Sequence, residues 1–149
     1  MRTVENEMTE YPSIASPEMT VTEAAEYMAK YKIRHLPVVD KGKVIGVVSE
    51  RDLRQAEILA DAMTMLVTDV MAPDPYCVPV GTSLATVARE MAKKKYGCTV
   101  ILNRLGRVVG IFTTTDGMRV LSGLLDSKGN PDFGLVGIET VVDRSFATN

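Results

Sequence analysis

Residues 43–53 (KVIGVVSERDL) recur as residues 107–117 (RVVGIFTTTDG) with the same order of chemical types, so this chain must fold into two halves that are alike. Each copy reads as a strand, a glycine, a hydroxyl and a carboxylate. The apolar, β-branched run of residues 44–48 suits a short buried strand, and Ser49 with Asp52 makes an S-x-x-D start to the helical run that follows. A strand that runs into a capped helix leaves backbone N–H groups pointing outward, where a phosphate or sugar oxygen can accept from them. Gly110, Thr113 and Asp116 occupy the same places in the second copy, with Gly46, Ser49 and Asp52 in the first.

The likeness extends well beyond this stretch. Met8 matches Met71, Pro12 matches Pro75, Met28 matches Met91 and Lys32 matches Lys95, all at an offset of 63. After Asp40 and Asn103 the offset becomes 64, a one-residue insertion in a turn, where insertions cost least. Within each copy the periodicity changes in step. Residues 13–15 form a short extended piece, and Thr20 caps a helix whose apolar face is Val21, Ala24, Ala25 and Met28. Strands at 36–39 and 43–48 flank an Asp-Lys-Gly turn, and a second helix follows from Asp52. The second copy gives a strand at 76–78, a helix capped by Thr82 or Ser83 through Lys94, strands at 99–102 and 108–112, and a helix to about Leu125.

The expected fold class is therefore α+β, two β-α-β-β-α repeats packed as a pseudo-twofold pair. One such unit buries too little surface to be comfortable alone, whereas two packed sheet to sheet share a core. Residues 1–70 are read as the first repeat with its linker, residues 54–70 prolonging its second helix; residues 71–126 are the second repeat. Residues 127–149 are a tail with one apolar patch at 133–142.

Composition narrows the function. The chain has 149 residues, 46% hydrophobic and 24% charged, with a net charge of -2 and a pI near 5.5. No general basic field is there to draw nucleic acid or an acidic membrane. Two cysteines, Cys77 and Cys98, are too few for a disulfide framework, and no apolar stretch is long enough to cross a bilayer, which makes a cytoplasmic location the default. No nucleophile–base pair, metal cluster or Walker-type loop is found, so the enzyme reading is the weakest.

The register over residues 8–125 resembles the cystathionine-β-synthase (CBS) domain, present as the tandem pair called a Bateman module. IRHLPVVD (33–40) and GVVSERD (46–52) carry the pattern in the first repeat, YGCTVILN (96–103) and GIFTTTD (110–116) in the second. Val100 departs from it, since the family has proline there, as at Pro37. The resemblance implies a regulatory module without catalysis and without a cofactor, binding AMP, ADP or ATP in the clefts between repeats, with S-adenosylmethionine or NAD as other adenosine-containing candidates. It also implies a homodimer and a separate effector protein. Asp52 and Asp116 would hold ribose hydroxyls, with Ser49 and Thr113 as the hydroxyl residues. The base would pack against Ser13, Ile14 and Ala15 with Ile33, Arg34, His35, Leu36 and Pro37, and against Tyr76, Cys77 and Val78 with Tyr96, Gly97, Cys98, Thr99 and Val100. Arg34, His35 and Arg51 would meet phosphate, and Thr115 stands where Arg51 does in the second repeat.

Simpler roles compete for the same residues. Ser49 with Asp52, and Thr113 with Asp116, also satisfy the pattern of helix capping boxes. His35 alone could be a packed or surface residue, the cysteines small core residues, and Lys93 to Lys95 a solvated helix end suited to the helix dipole. A ligand-independent dimerisation or partner-binding platform is the alternative function on the same fold.

Overall fold

A computed structural model describes residues 1–59 and 63–127. The described residues fall into two compact units that divide after Asp116. A 3-10 turn at Val4–Asn6 precedes β1 (Thr9–Glu10). The first repeat then gives α1 (Val21–Tyr31), β2 (His35–Asp40), β3 (Lys43–Ser49) and α2 (Glu50–Leu59). A short α3 (Val67–Val70) and β4 (Ala72–Pro73) lead to the second repeat: β5 (Cys77–Pro79), α4 (Leu84–Lys94), β6 (Cys98–Leu102), β7 (Val108–Thr113) and α5 (Thr114–Asp126). The fold is α+β with two β-α-β-β-α repeats, as the periodicity implied. Ala15 supplies the first strand of repeat one only as a parallel bridge to Val38, where β5 pairs with β6 over three residues.

Local chemistry explains the boundaries. Thr20 Oγ1 accepts from the Glu23 N–H at 3.1 Å, and the Glu23 carboxylate accepts from the Thr20 N–H at 3.3 Å, a reciprocal cap worth about 1 kcal/mol. Helix α1 then buries Val21, Ala24 and Met28, and α4 buries Leu84, Val87 and Met91. Both helices end on a lysine in the left-handed region, Lys32 at φ 53° and Lys95 at φ 60°, whose N–H closes the last turn on Met28 and Met91. Ser83 takes the cap position of α4, while the Thr82 hydroxyl donates to the Pro79 carbonyl at 2.7 Å. The β2–β3 turn has positive φ at both Lys41 (50°) and Gly42 (80°), the mirror-image turn that matches strand twist. In the longer β6–β7 turn, Asn103 Oδ1 accepts from the N–H groups of Leu105 and Arg107 at 2.9 and 3.0 Å.

The two sheets exchange their edge strands. One has the order β1-β7-β6-β5 and the other β2-β3-β4, so β1 from the chain's start pairs with the second repeat and β4 with the first. Glycine makes the crossing feasible. A Cβ at Gly46 would collide with the Met71 thioether and lie 2.9 Å from the Ala72 carbonyl, and one at Gly110 would collide with the Met8 thioether. Each glycine of the repeated motif thus admits the methionine that enters from the other side, and Val47 packs with Cys98, Val100 and Ile111 in a core shared by both repeats.

One expectation is corrected: of residues 54–70, only 54–59 prolong α2. The helix ends at Leu59, and Leu66 starts the separate α3, with the Asp69 carboxylate accepting from the Leu66 N–H at 3.0 Å. The intervening backbone is needed elsewhere, since the Val21 N–H donates to the Met65 carbonyl and the Val67 N–H to the Met19 carbonyl, each at 2.8 Å. The expected tail, with its apolar patch at 133–142, lies outside the described residues.

Candidate functional site

Each strand-to-helix junction is a reciprocal cap. The Asp52 Oδ2 accepts from the Ser49 N–H at 3.0 Å while Ser49 Oγ accepts from the Asp52 N–H at 3.1 Å. Asp116 Oδ2 accepts from both the N–H and the hydroxyl of Thr113, at 2.8 and 2.9 Å, and Thr113 Oγ1 accepts from the Asp116 N–H at 3.3 Å. The capping role is thus real for both aspartates. These junctions also face two cavities.

The cavities are built crosswise. Cleft one, about 780 Å³, takes Ser49, Arg51 and Asp52 from the first repeat and Tyr76, Tyr96, Gly97 and Cys98 from the second. Cleft two, about 460 Å³, takes Thr113, Thr115 and Asp116 from the second repeat and Ser13, Ile33, Arg34 and His35 from the first. Arg34 and His35 also line cleft one, so they stand where the two clefts meet. The sequence signals both the carboxylates and their opposite walls; the crossing of one repeat's carboxylate to the other's wall is the structure's contribution.

The walls differ in chemistry. In cleft one the Tyr76 and Tyr96 rings stack with centroids 5.4 Å apart and planes 24° from parallel. At the equivalent places in cleft two stand Ser13, whose hydroxyl accepts from the Tyr27 hydroxyl at 2.8 Å, and Ile33. Burial pushes the Tyr76 phenol above its ordinary value, with Glu90 and Tyr96 adding to it. The His35 imidazole is pulled below its usual range by burial, an effect that Asp52 opposes and Arg34 reinforces. His35 also packs on Gly97, where a Cβ would lie 2.7 Å from its Nε2.

Not every residue implied by the resemblance reaches a cleft wall. Ala15, Leu36, Pro37, Val78, Thr99 and Val100 are buried in the interior, Ile14 is half exposed, and Cys77 packs against the core shared by the repeats. Cys98 is both cleft wall and core, its thiol pushed up to about 12 by burial and by neighbouring Cys77.

Several wall residues escaped the sequence reading. Tyr11 and Pro12 line cleft two while Asp74 and Pro75 line cleft one, and Tyr11 and Asp74 share a positive φ of 45° and 51°. Lys32 lines cleft two and Lys95 lines cleft one, so Lys95 is more than a solvated helix end. Their signal was the shared offset of 63, with a proline at the same place in both copies. Among the described residues no cluster of three His, Cys, Asp or Glu could hold a metal ion, and no helix is long and apolar enough to cross a membrane.

With this geometry in place, the comparisons with known proteins are informative. The pattern described as "CBS domain" matches twice, at residues 2–58 and 67–123. The chain is 31% identical over 142 residues to inosine-5'-monophosphate dehydrogenase of Halalkalibacterium halodurans, covering 91% of this chain and 28% of that enzyme. It spans only part of the length of the curated relatives it matches, from 20% to 36%. Among solved structures, the CBS domain pair of protein MJ0100 in complex with 5'-methylthioadenosine and S-adenosyl-L-methionine aligns with a TM-score of 0.74 and 26% identity, covering 80% of this chain and 99% of that one. CBSX2 of Arabidopsis thaliana in complex with AMP aligns with a TM-score of 0.71 and 26% identity, covering 83% and 98%.

Proposed function

The chain belongs to the CBS domain family, and on that premise we propose that it is a regulatory module binding adenosine nucleotides of the AMP, ADP or ATP type in its two clefts and signalling to a separate partner protein. The reading is of a module that regulates rather than catalyses. The observation that carries the reading is the crossed construction: each hydroxyl-x-x-Asp junction opens a cleft whose far wall comes from the other repeat. Ligand entering a cleft touches both repeats at once, so binding can shift their packing.

The chemistry of each wall supports the same ligand class. An ionised carboxylate accepts from two neighbouring ribose hydroxyls at once, and such charge-assisted bonds are stronger than neutral ones. In this reading Asp52 and Asp116 hold ribose, Tyr76 and Tyr96 or Ser13 and Ile33 face the base, and Arg34, His35 and Arg51 meet phosphate. The complexes of MJ0100 and CBSX2 with adenosine compounds favour that ligand class here.

A homodimer is part of the proposal, because large apolar side chains stay exposed on α2 and α5. Ile58 is 83% exposed, Met118 64%, Leu121 42% and Leu125 49%. This favours the second reading too, a dimerisation or interaction platform that needs no ligand. A thermal-shift panel of AMP, ADP, ATP, NAD and S-adenosylmethionine separates the two, since a ligand that binds only the native state raises its melting temperature by mass action. The nucleotide reading expects a rise with at least one of the adenosine phosphates. No rise with any of the five would leave the platform reading standing.

A further inference from the structure

Among the described residues, Arg34 is the one arginine that lines both clefts. It follows α1 by two residues beyond the left-handed Lys32 and sits just before β2, and its carbonyl is fixed by the Glu50 N–H at 2.8 Å. Its guanidinium has no carboxylate partner among the described residues, whereas Arg54 in cleft one is neutralised by Glu50. The other cations of cleft one, Arg51 and Lys95, share it with Asp52 and Asp74. In cleft two only Lys32 accompanies Arg34, opposite Asp116. The second repeat has no counterpart to Arg34, because the equivalent position is Gly97.

From this we infer that the two clefts compete for one cation, so that an anionic ligand in either cleft weakens binding of a second anionic ligand in the other. The inference rests on the nucleotide reading and adds its regulation. A phosphate seated in one cleft draws the Arg34 guanidinium toward it and offsets its single positive charge, leaving less of it for a phosphate in the other. The second phosphate then arrives without its cation and close to a like charge. Neutral adenosine makes no such claim, so its two binding events are independent. The module would respond to the phosphorylated ligand as a one-per-chain switch with a weak second step, and the coupling is necessarily reciprocal.

The test is calorimetric titration of AMP and of adenosine into the wild-type chain, into the single-cleft variants Asp52→Asn and Asp116→Asn, and into Arg34→Ala in each background. If Asp116→Asn does not fold, Lys32→Glu, which reverses a charge in cleft two alone, takes its place. The two wild-type AMP association constants, multiplied together, are expected to fall at least tenfold short of the product of the two single-cleft constants. Adenosine should show no shortfall, and Arg34→Ala should abolish the AMP shortfall while weakening AMP in both single-cleft variants. An AMP product equal to that of the single clefts, or a shortfall that survives Arg34→Ala undiminished, overturns the coupling and leaves the nucleotide reading intact. Absence of both AMP and adenosine binding to the wild type overturns the two together.

Discussion

The two clefts are copies made by one repeated motif, yet their carboxylates sit in different surroundings. Asp116 is 4% exposed, and its Oδ2 already takes two bonds from Thr113. Asp52 is half-buried in a cleft of about 780 Å³, its Oδ2 occupied by one backbone N–H and its Oδ1 without a protein partner among the described residues. Capping and ligand binding are therefore compatible duties of one side chain, and burial decides their balance. The first carboxylate has an oxygen to spare, while the second is more deeply committed to the fold.

The largest expected effect follows directly. Asp52→Asn keeps a carbonyl oxygen for the cap but replaces the spare acceptor by an NH₂, and losing a hydrogen bond to a charged group costs about 1.5–3 kcal/mol, roughly ten- to a hundredfold in affinity. AMP affinity at cleft one should fall by that factor with little change in ligand-free melting. Asp116→Asn should lower the melting temperature as well, because its carboxylate is buried and doubly bonded. Equal stability losses in the two variants, with wild-type AMP affinity in both, would erase the distinction and reduce the aspartates to caps.

The glycines sharpen the comparison at the level of the sheets. A methyl at Gly46 meets the Ala72 carbonyl, which cannot move without breaking the β3–β4 pairing, whereas at Gly110 only the flexible Met8 side chain stands in the way. Overpacking of this kind costs about 1–3 kcal/mol. Gly46→Ala should lie near the top of that range and Gly110→Ala near the bottom, measured by urea denaturation. The reverse order would mean that β1, not β4, is the rigid crossing strand.

These crossings mark the limit of what the residues disclose unaided. The hairpins, the caps at Thr20 and Ser83 and the inward face of α1 are local, since turn chemistry and a 3.6-residue period write them into neighbouring positions. Strands of two residues carry no period, so nothing in Thr9–Glu10 announces that it pairs with β7. The same holds for the site. Asp52 and Asp116 are visible through repetition, but in two similar halves the sequence cannot show that the Asp116 cleft is closed by Arg34 and His35 of the other half; that relation is tertiary. The end of α2 is hidden for a related reason, because the backbone bonds that tie Met65 and Val67 come from Val21 and Met19, far away in the sequence.

A smaller effect is expected inside the second sheet. Thr99 is fully buried on β6 with no hydrogen-bond partner for its Oγ1 among the described residues, and the matching residue of the first repeat is Leu36, also fully buried. Leaving a buried hydroxyl unpaired costs about 1–3 kcal/mol. Thr99→Val keeps the shape and removes that cost, so the variant should be more stable than wild type by about 1 kcal/mol in denaturant titration. A loss of stability would show that the hydroxyl is satisfied in solution.

The smallest effect separates the repeats by pH. His35, the only histidine of the chain, is matched in the second repeat by Cys98, whose thiol at about 12 stays protonated over the whole range near neutrality. Burial holds the His35 imidazole below its usual 6.5, Asp52 working against this and Arg34 with it. The unfolded chain thus binds a proton at a higher pH than the folded one. The sign follows: the contribution to stability is fully present above the unfolded value near 6.5 and is lost as pH falls through it toward the folded value. Carboxylates titrate well below that window, with ordinary values near 4. Ligand-free melting temperature should therefore decline between pH 7 and pH 5.5 in the wild type and decline less in His35→Gln. Parallel curves for the two proteins would mean that the imidazole is as well hydrated in the fold as out of it, and that the wall beside Gly97 is open to water.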